Sequence, residues 1–192
     1  TLTDGALRML ILLHFHTLGY TPLELSFLFL LYEFFGVITN LLAGWIGSRF
    51  GVKLTLYCGL SLQVGALYML SMLNPDWGKA LAVAFVVAAQ GLSGIAKDLT
   101  KMSSKSAIKL VVIDNQYSAL FYWVALLTGS KNALKGVGFF LGATLLSGLG
   151  FVHALWAMAA GLFVILIAAV ALMPANLGKV KAKVEFTKIL SK

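Results

Sequence analysis

Residues 151–174 read FVHALWAMAAGLFVILIAAVALMP. From Ala154 to Met173 the stretch holds no acid or base, and it is closed by Pro174, whose ring and missing N–H stop a helix. Its length matches the roughly 20 apolar residues that cross about 30 Å of hydrocarbon. Period-2 alternation, the mark of an outer-membrane barrel strand, is absent, so the spanning element is a helix.

Working outward, the same reading predicts five more helices, at about 3 to 18, 23 to 47, 53 to 73, 78 to 111 and 116 to 147, before the run at 151 to 173. The other two prolines, Pro22 and Pro75, also stand at run ends. The expected fold is an all-α integral membrane bundle of six transmembrane helices spanning 1–174, followed by a basic segment, 175–192. With 60% hydrophobic and 11% charged residues, the chain lies outside the soluble globular range.

A net charge of +8 would suit a nucleic-acid binder, but the positions of the basic residues argue otherwise. Arg49 and Lys53 share one connection, and Lys97, Lys101, Lys105 and Lys109 form a stripe with a four-residue interval. Lys179, Lys181, Lys183, Lys188 and Lys192 occupy the tail. Alternate connections therefore carry the charge, which by the positive-inside rule puts both ends of the chain in the cytoplasm. Nucleic acid is not an expected partner; the lipid bilayer is.

Ionisable residues also sort by helix. The first run carries Asp4, Arg8, His14 and His16, the second Glu33, the fourth Lys97 and Asp98, and the fifth Lys131 and Lys135. Charges at depth cost several kcal/mol unless they face protein or a wet cavity. Runs one, two, four and five are thus expected to surround a polar interior, with three and six facing lipid. The lone Cys58 excludes an internal disulfide and reads as a small packed side chain.

The segment GWIGSRFGVKL, from Gly44 to Leu54, resembles the loop signature of the major facilitator superfamily, G-x-x-x-D-R-x-G-R-K. Gly44, Arg49, Gly51 and Lys53 match; Ser48 stands where the family has its acid and Val52 where it usually has a base. AAQGLSGIAKDL and GVGFFLGATLLSGLGF are similar to glycine patterns of that family's fourth and fifth helices. Three longer segments, LTDGALRMLILLHFHTLGYTPLELSFLFLLYEFFGVITNL, SGIAKDLTKMSSKSAIK and LTGSKNALKGVGFFLGATLL, resemble the ArsJ family of organoarsenical efflux permeases from arsenic-resistance operons.

That resemblance implies export of 1-arseno-3-phosphoglycerate, supplied by a glyceraldehyde-3-phosphate dehydrogenase, across a bacterial inner membrane. It also implies a twelve-helix protein of two homologous halves, this chain being the first and its tail the start of a linker to the missing C-terminal half. Such a small anionic substrate needs fixed cations at depth, and Arg8, Lys97, Lys101, Lys131 and Lys135 supply them. Lys97 and Lys101 stack on one helix face, as do Lys131 and Lys135, since i and i+4 are neighbours. Gly129, Ser130 and Asn132 beside Lys131 would let a ligand approach the backbone, although glycines so spaced also serve close helix packing.

Other readings stand beside these. The lysines also fit snorkelling to the interface, with Lys105 and Lys109 interfacial, and Lys97 or Lys101 pairing with Asp98. Arg8 equally fits a pair with Asp4. Glu33, within an apolar run, is the expected proton carrier, or the partner of a static salt bridge. Asp98 and His16 are further proton-coupling candidates, although a hydrogen-bonded core role suits a histidine too. His14 and His16, two apart, point away from each other, which disfavours a metal site. A single cysteine cannot build a multi-thiolate site for soft trivalent arsenic, and no phosphate-binding Gly-rich loop is present, so neither metal nor cofactor is expected. The competing functions are transport of another organic phosphate or anion and, in a different class, a membrane-embedded lipid-phosphate enzyme.

Overall fold

The computed structural model describes residues 1–111 and 117–173, without the side chains of 43, 44, 46–50, 108–111 and 117–120. The expected linker 175–192 and the proline that precedes it lie outside the described residues, as does the side chain of Lys109. Every element among the described residues is a helix: α1 (Leu2–Thr17), α2 (Pro22–Leu28), α3 (Leu30–Ser71), α4 (Lys79–Val111) and α5 (Tyr117–Leu172).

Local chemistry explains the boundaries. The α1 chain leaves its last turn through Gly19, at φ 82°, which only glycine adopts without strain. Pro22 starts α2, and Thr21 and Glu24 close a reciprocal capping box: Thr21 N–H donates to Glu24 Oε2 at 2.8 Å, while Glu24 N–H donates to Thr21 Oγ1 at 3.4 Å. Phe29 then separates α2 from α3, so the run expected as one helix over 23–47 is bent near its start.

Two glycines divide the long helices. Gly51 (φ 77°, ψ 162°) breaks α3, and Gly150 (φ 76°, ψ 174°) breaks α5, each into two arms. Sequence reading places connections at both positions; the structure makes each of them with one left-handed residue rather than an extended loop.

Among the described residues, four helical stretches are long and apolar enough to cross a membrane: Pro22–Leu42, Gly51–Ser71, Lys79–Ala107 and Phe121–Leu172, the last containing the break at Gly150. At 16 residues, α1 falls short of that length. Only 22% of the most apolar window of Phe121–Leu172 is buried within the protein, and side chains such as Phe121, Phe140, Phe163, Val164 and Leu172 point outward. Water would penalise that surface at about 25 cal/mol per Å², whereas lipid does not. The fold is that of a helical, multi-pass membrane protein.

Packing joins α4 to α3, α1 to α5 and α3 to α5. The first of these contacts is close: a Cβ placed at Gly94 would stand 2.5 Å from the Tyr32 carbonyl oxygen. The second arm of α3 is tied to the second arm of α5, where Tyr57 Oη donates to the Ala169 carbonyl at 3.1 Å and Lys53 Nζ donates to that of Met173 at 3.0 Å. Tyr68 meets Trp156 edge to face, with centroids 5.4 Å apart. The core between these pairs holds Leu7, Leu10, Ile11, Phe15, Leu67, Leu70, Val86 and Leu155. Cys58, expected to be packed inside, is instead exposed on the outer side of α3.

Candidate functional site: a cavity lined by lysines

One turn of α4 brings Lys97 and Lys101 onto the same face, and another brings Lys105, so their ammonium groups form a column about 12 Å long at 1.5 Å per residue. This face looks into a cavity of about 280 Å³, close to the lower end of small-molecule sites, which run from roughly 300 to 1,000 Å³. Lys131 enters the same cavity from α5, and Asp4 enters it from α1. Four ammonium groups therefore face one carboxylate in the lining. Leu60, Gln63 and Leu162 also line it, each near the middle of its helical arm.

This arrangement differs from the expected one. Among the described residues the second run, with Glu33, contributes nothing to the lining, while runs three and six contribute Gln63 and Leu162. Lys105, expected at the interface, is exposed and also borders the cavity, which leaves that expectation standing. The physical reason is that the second arm of α3 packs on both α4 and α5, which turns part of its face inward.

Beside the cavity lies a charged cluster centred on Tyr32, whose side chain is 1% exposed. Its hydroxyl donates to the Asp4 carboxylate. The Arg8 guanidinium lies 4.4 Å from the ring centroid and Lys97 Nζ 4.2 Å, both within cation–π range. Arg8 also pairs with Glu33, whose side chain is 61% exposed. The ring thus connects Lys97 and Asp4, in the cavity wall, to the Arg8–Glu33 pair outside it. Removing the hydroxyl leaves a buried carboxylate without that donor; Tyr32→Phe is expected to lower stability by about 1–3 kcal/mol. Thermal unfolding in micelles measures this, and an unchanged midpoint would exclude the bond.

Asp98 is buried on α4, 2% exposed, and sits against Gly36, where an added Cβ would meet Oδ2 at 3.0 Å. Its nearest cation is Lys101, at 3.6 Å, and neither carboxylate oxygen has a hydrogen-bond partner among the described residues. Lys101 Nζ also reaches Asn40 Oδ1 at 3.4 Å.

The remaining expected residues lie apart from the cavity lining. Asn132 is exposed, and Lys135 lies over the Phe139 ring at 5.9 Å. His16 is exposed, and His14 stacks on Phe151 with centroids 3.9 Å apart. Among the described residues no three His, Cys, Asp or Glu side chains gather as a metal site. Of the motif loop, Gly51 supplies the break in α3 and Lys53 the tie to Met173, while the side chains of Gly44 and Arg49 lie outside the described residues.

Residues that sequence reading does not single out are Tyr32, Gln63, Ser93 and Gln90. Gln90 is fully buried, and neither amide atom has a partner among the described residues. The available signal is that Gln63 and Gln90 are each the lone amide of an apolar run. Compared with known protein families, characterised proteins and solved structures, the chain matches none.

Proposed function

We propose that the chain is a transporter of anions, and specifically the first half of a major facilitator-type exporter that carries 1-arseno-3-phosphoglycerate out of the cytoplasm. The observation that carries this reading is the convergence of Lys97, Lys101 and Lys105 from α4 and Lys131 from α5 on one cavity that holds a single carboxylate. An excess of positive charge at depth is costly unless an anion visits it, and multipoint binding by ammonium groups suits a ligand that must also leave. The arsenic-containing substrate comes from the resemblance to organoarsenical permeases, and the bacterial inner membrane with it.

In this proposal the chain crosses six times: α1, α2 with the first arm of α3, the second arm of α3, α4 and the two arms of α5. The breaks at Gly51 and Gly150 support that count. Both ends face the cytoplasm, in keeping with the basic connections. A second homologous half completes the transporter, which is not an enzyme. Export is proton-coupled, with Asp98, Glu33 and His16 as the candidate carriers; Asp98 is the most enclosed of the three.

The test is arsenate resistance in sensitive cells expressing the gene with and without the partner glyceraldehyde-3-phosphate dehydrogenase. Resistance is expected only when both are present. Resistance without the dehydrogenase would overturn the named substrate and favour another anion.

A further inference from the structure

Besides the lysines and Asp4, the cavity lining holds hydroxyl side chains (Thr100, Ser104, Thr128, Ser130), leucines and one amide, Gln63. Gln63 enters that lining from the second arm of α3 and is 8% exposed. Ser93 on α4 donates its hydroxyl hydrogen to Gln63 Oε1 at 3.0 Å. That bond occupies the acceptor end of the amide and sets its plane, leaving Nε2 as the free end. Nε2 is buried and has no hydrogen-bond partner among the described residues. A buried amide N–H left unpaired costs about 1–3 kcal/mol, so the unpaired donor of a cavity-lining residue is most economically explained by an acceptor that reaches it from the cavity.

We propose that Gln63 is a specificity-determining residue of this cavity, donating from Nε2 to an oxygen of the ligand's organic part while the lysines hold its anionic group. This rests on the anion-cavity reading above and narrows it. A bare inorganic oxyanion satisfies the ammonium groups and leaves both the amide and the leucine wall unmatched. An organic anion with a short carbon body and an acceptor oxygen, such as a carboxylate or hydroxyl, matches all three surfaces. Ser93 acts as a positioning residue, because it occupies the acceptor end of the amide and leaves the donor end to the ligand.

The experiment is isothermal titration of the purified full-length protein in micelles with inorganic phosphate and with 3-phosphoglycerate. The wild-type protein is expected to bind 3-phosphoglycerate about tenfold or more tightly than phosphate, the worth of one hydrogen bond to a charged oxygen. Gln63→Leu brings the ratio of the two affinities close to one while phosphate binding is maintained. Gln63→Met, which nearly keeps the shape but lacks the donor and adds no charge, does the same, and so separates recognition from packing. Ser93→Ala gives an intermediate ratio. If the wild-type protein binds neither anion, the anion-cavity reading fails and this inference with it. If it binds both and the ratio survives Gln63→Leu and Gln63→Met, the lysine cavity stands and the role of Gln63 is overturned.

Discussion

Replacing Lys97 and Lys131 together by alanine is expected to reduce the anion export proposed above by at least about a hundredfold, since each charge-assisted contact contributes about 1.5–3 kcal/mol. The two residues reach one cavity from different helices, so one ligand feels both losses. Stability is expected to move the opposite way. Lys97 and Lys101 are like charges at i and i+4, a spacing that costs about 0.2–0.5 kcal/mol, and Lys97 is taken out of solvent beside Arg8 on the same aromatic ring. The measurement is uptake of labelled substrate into inverted vesicles, paired with thermal unfolding of each purified variant. Lost transport with an equal or raised midpoint marks a ligand site. Undiminished transport would remove these lysines from the mechanism.

Gly142→Leu is expected to lower stability by about 3 kcal/mol or more, at or beyond the upper end of ordinary overpacking. A Cβ there would fall on the carbonyl oxygen of Ala6, and one at Gly138 on that of Leu2, so α1 and α5 meet backbone to backbone. Backbone atoms cannot rotate aside as a side chain can, and the helices must separate. Since Asp4 belongs to α1, separation also withdraws it from Tyr32 and from the cavity wall. Gly136, six residues earlier, has open space around it, and Gly136→Leu should stay within about 0.5 kcal/mol of the parent. Thermal unfolding of the two variants side by side decides the matter; equal midpoints would refute the close approach.

Much of the helical architecture is legible in the residue order. Pro22 and the Thr21–Glu24 box mark a helix start, and the glycines at 19, 51 and 150 fall where the chain turns out of ordinary helical geometry. The column of Lys97, Lys101 and Lys105 follows from the helical period alone. Less legible is which neighbour each face meets. Arg8 has Asp4 one turn away on its own helix, yet it pairs with Glu33 across α3, because the Asp4 carboxylate is held by the Tyr32 hydroxyl. Asn132 adjoins Lys131 in the chain and is exposed while Lys131 lines the cavity, since adjacent residues on a helix point about 100° apart.

Composition and apolar run length were enough to establish a multi-helix membrane chain, because the hydrocarbon thickness sets a minimum length that any sequence either meets or fails. Helical periodicity was enough to stack the α4 lysines on one face. Only the packed structure put Gln63 and Lys105 into one cavity with Lys97 and Lys131, and left Glu33 outside its lining. Periodicity assigns a side chain to a face of its own helix, but the rotation of that helix against its neighbours depends on contacts such as Gly94 with Tyr32 and Gly142 with Ala6, which join residues far apart in the chain.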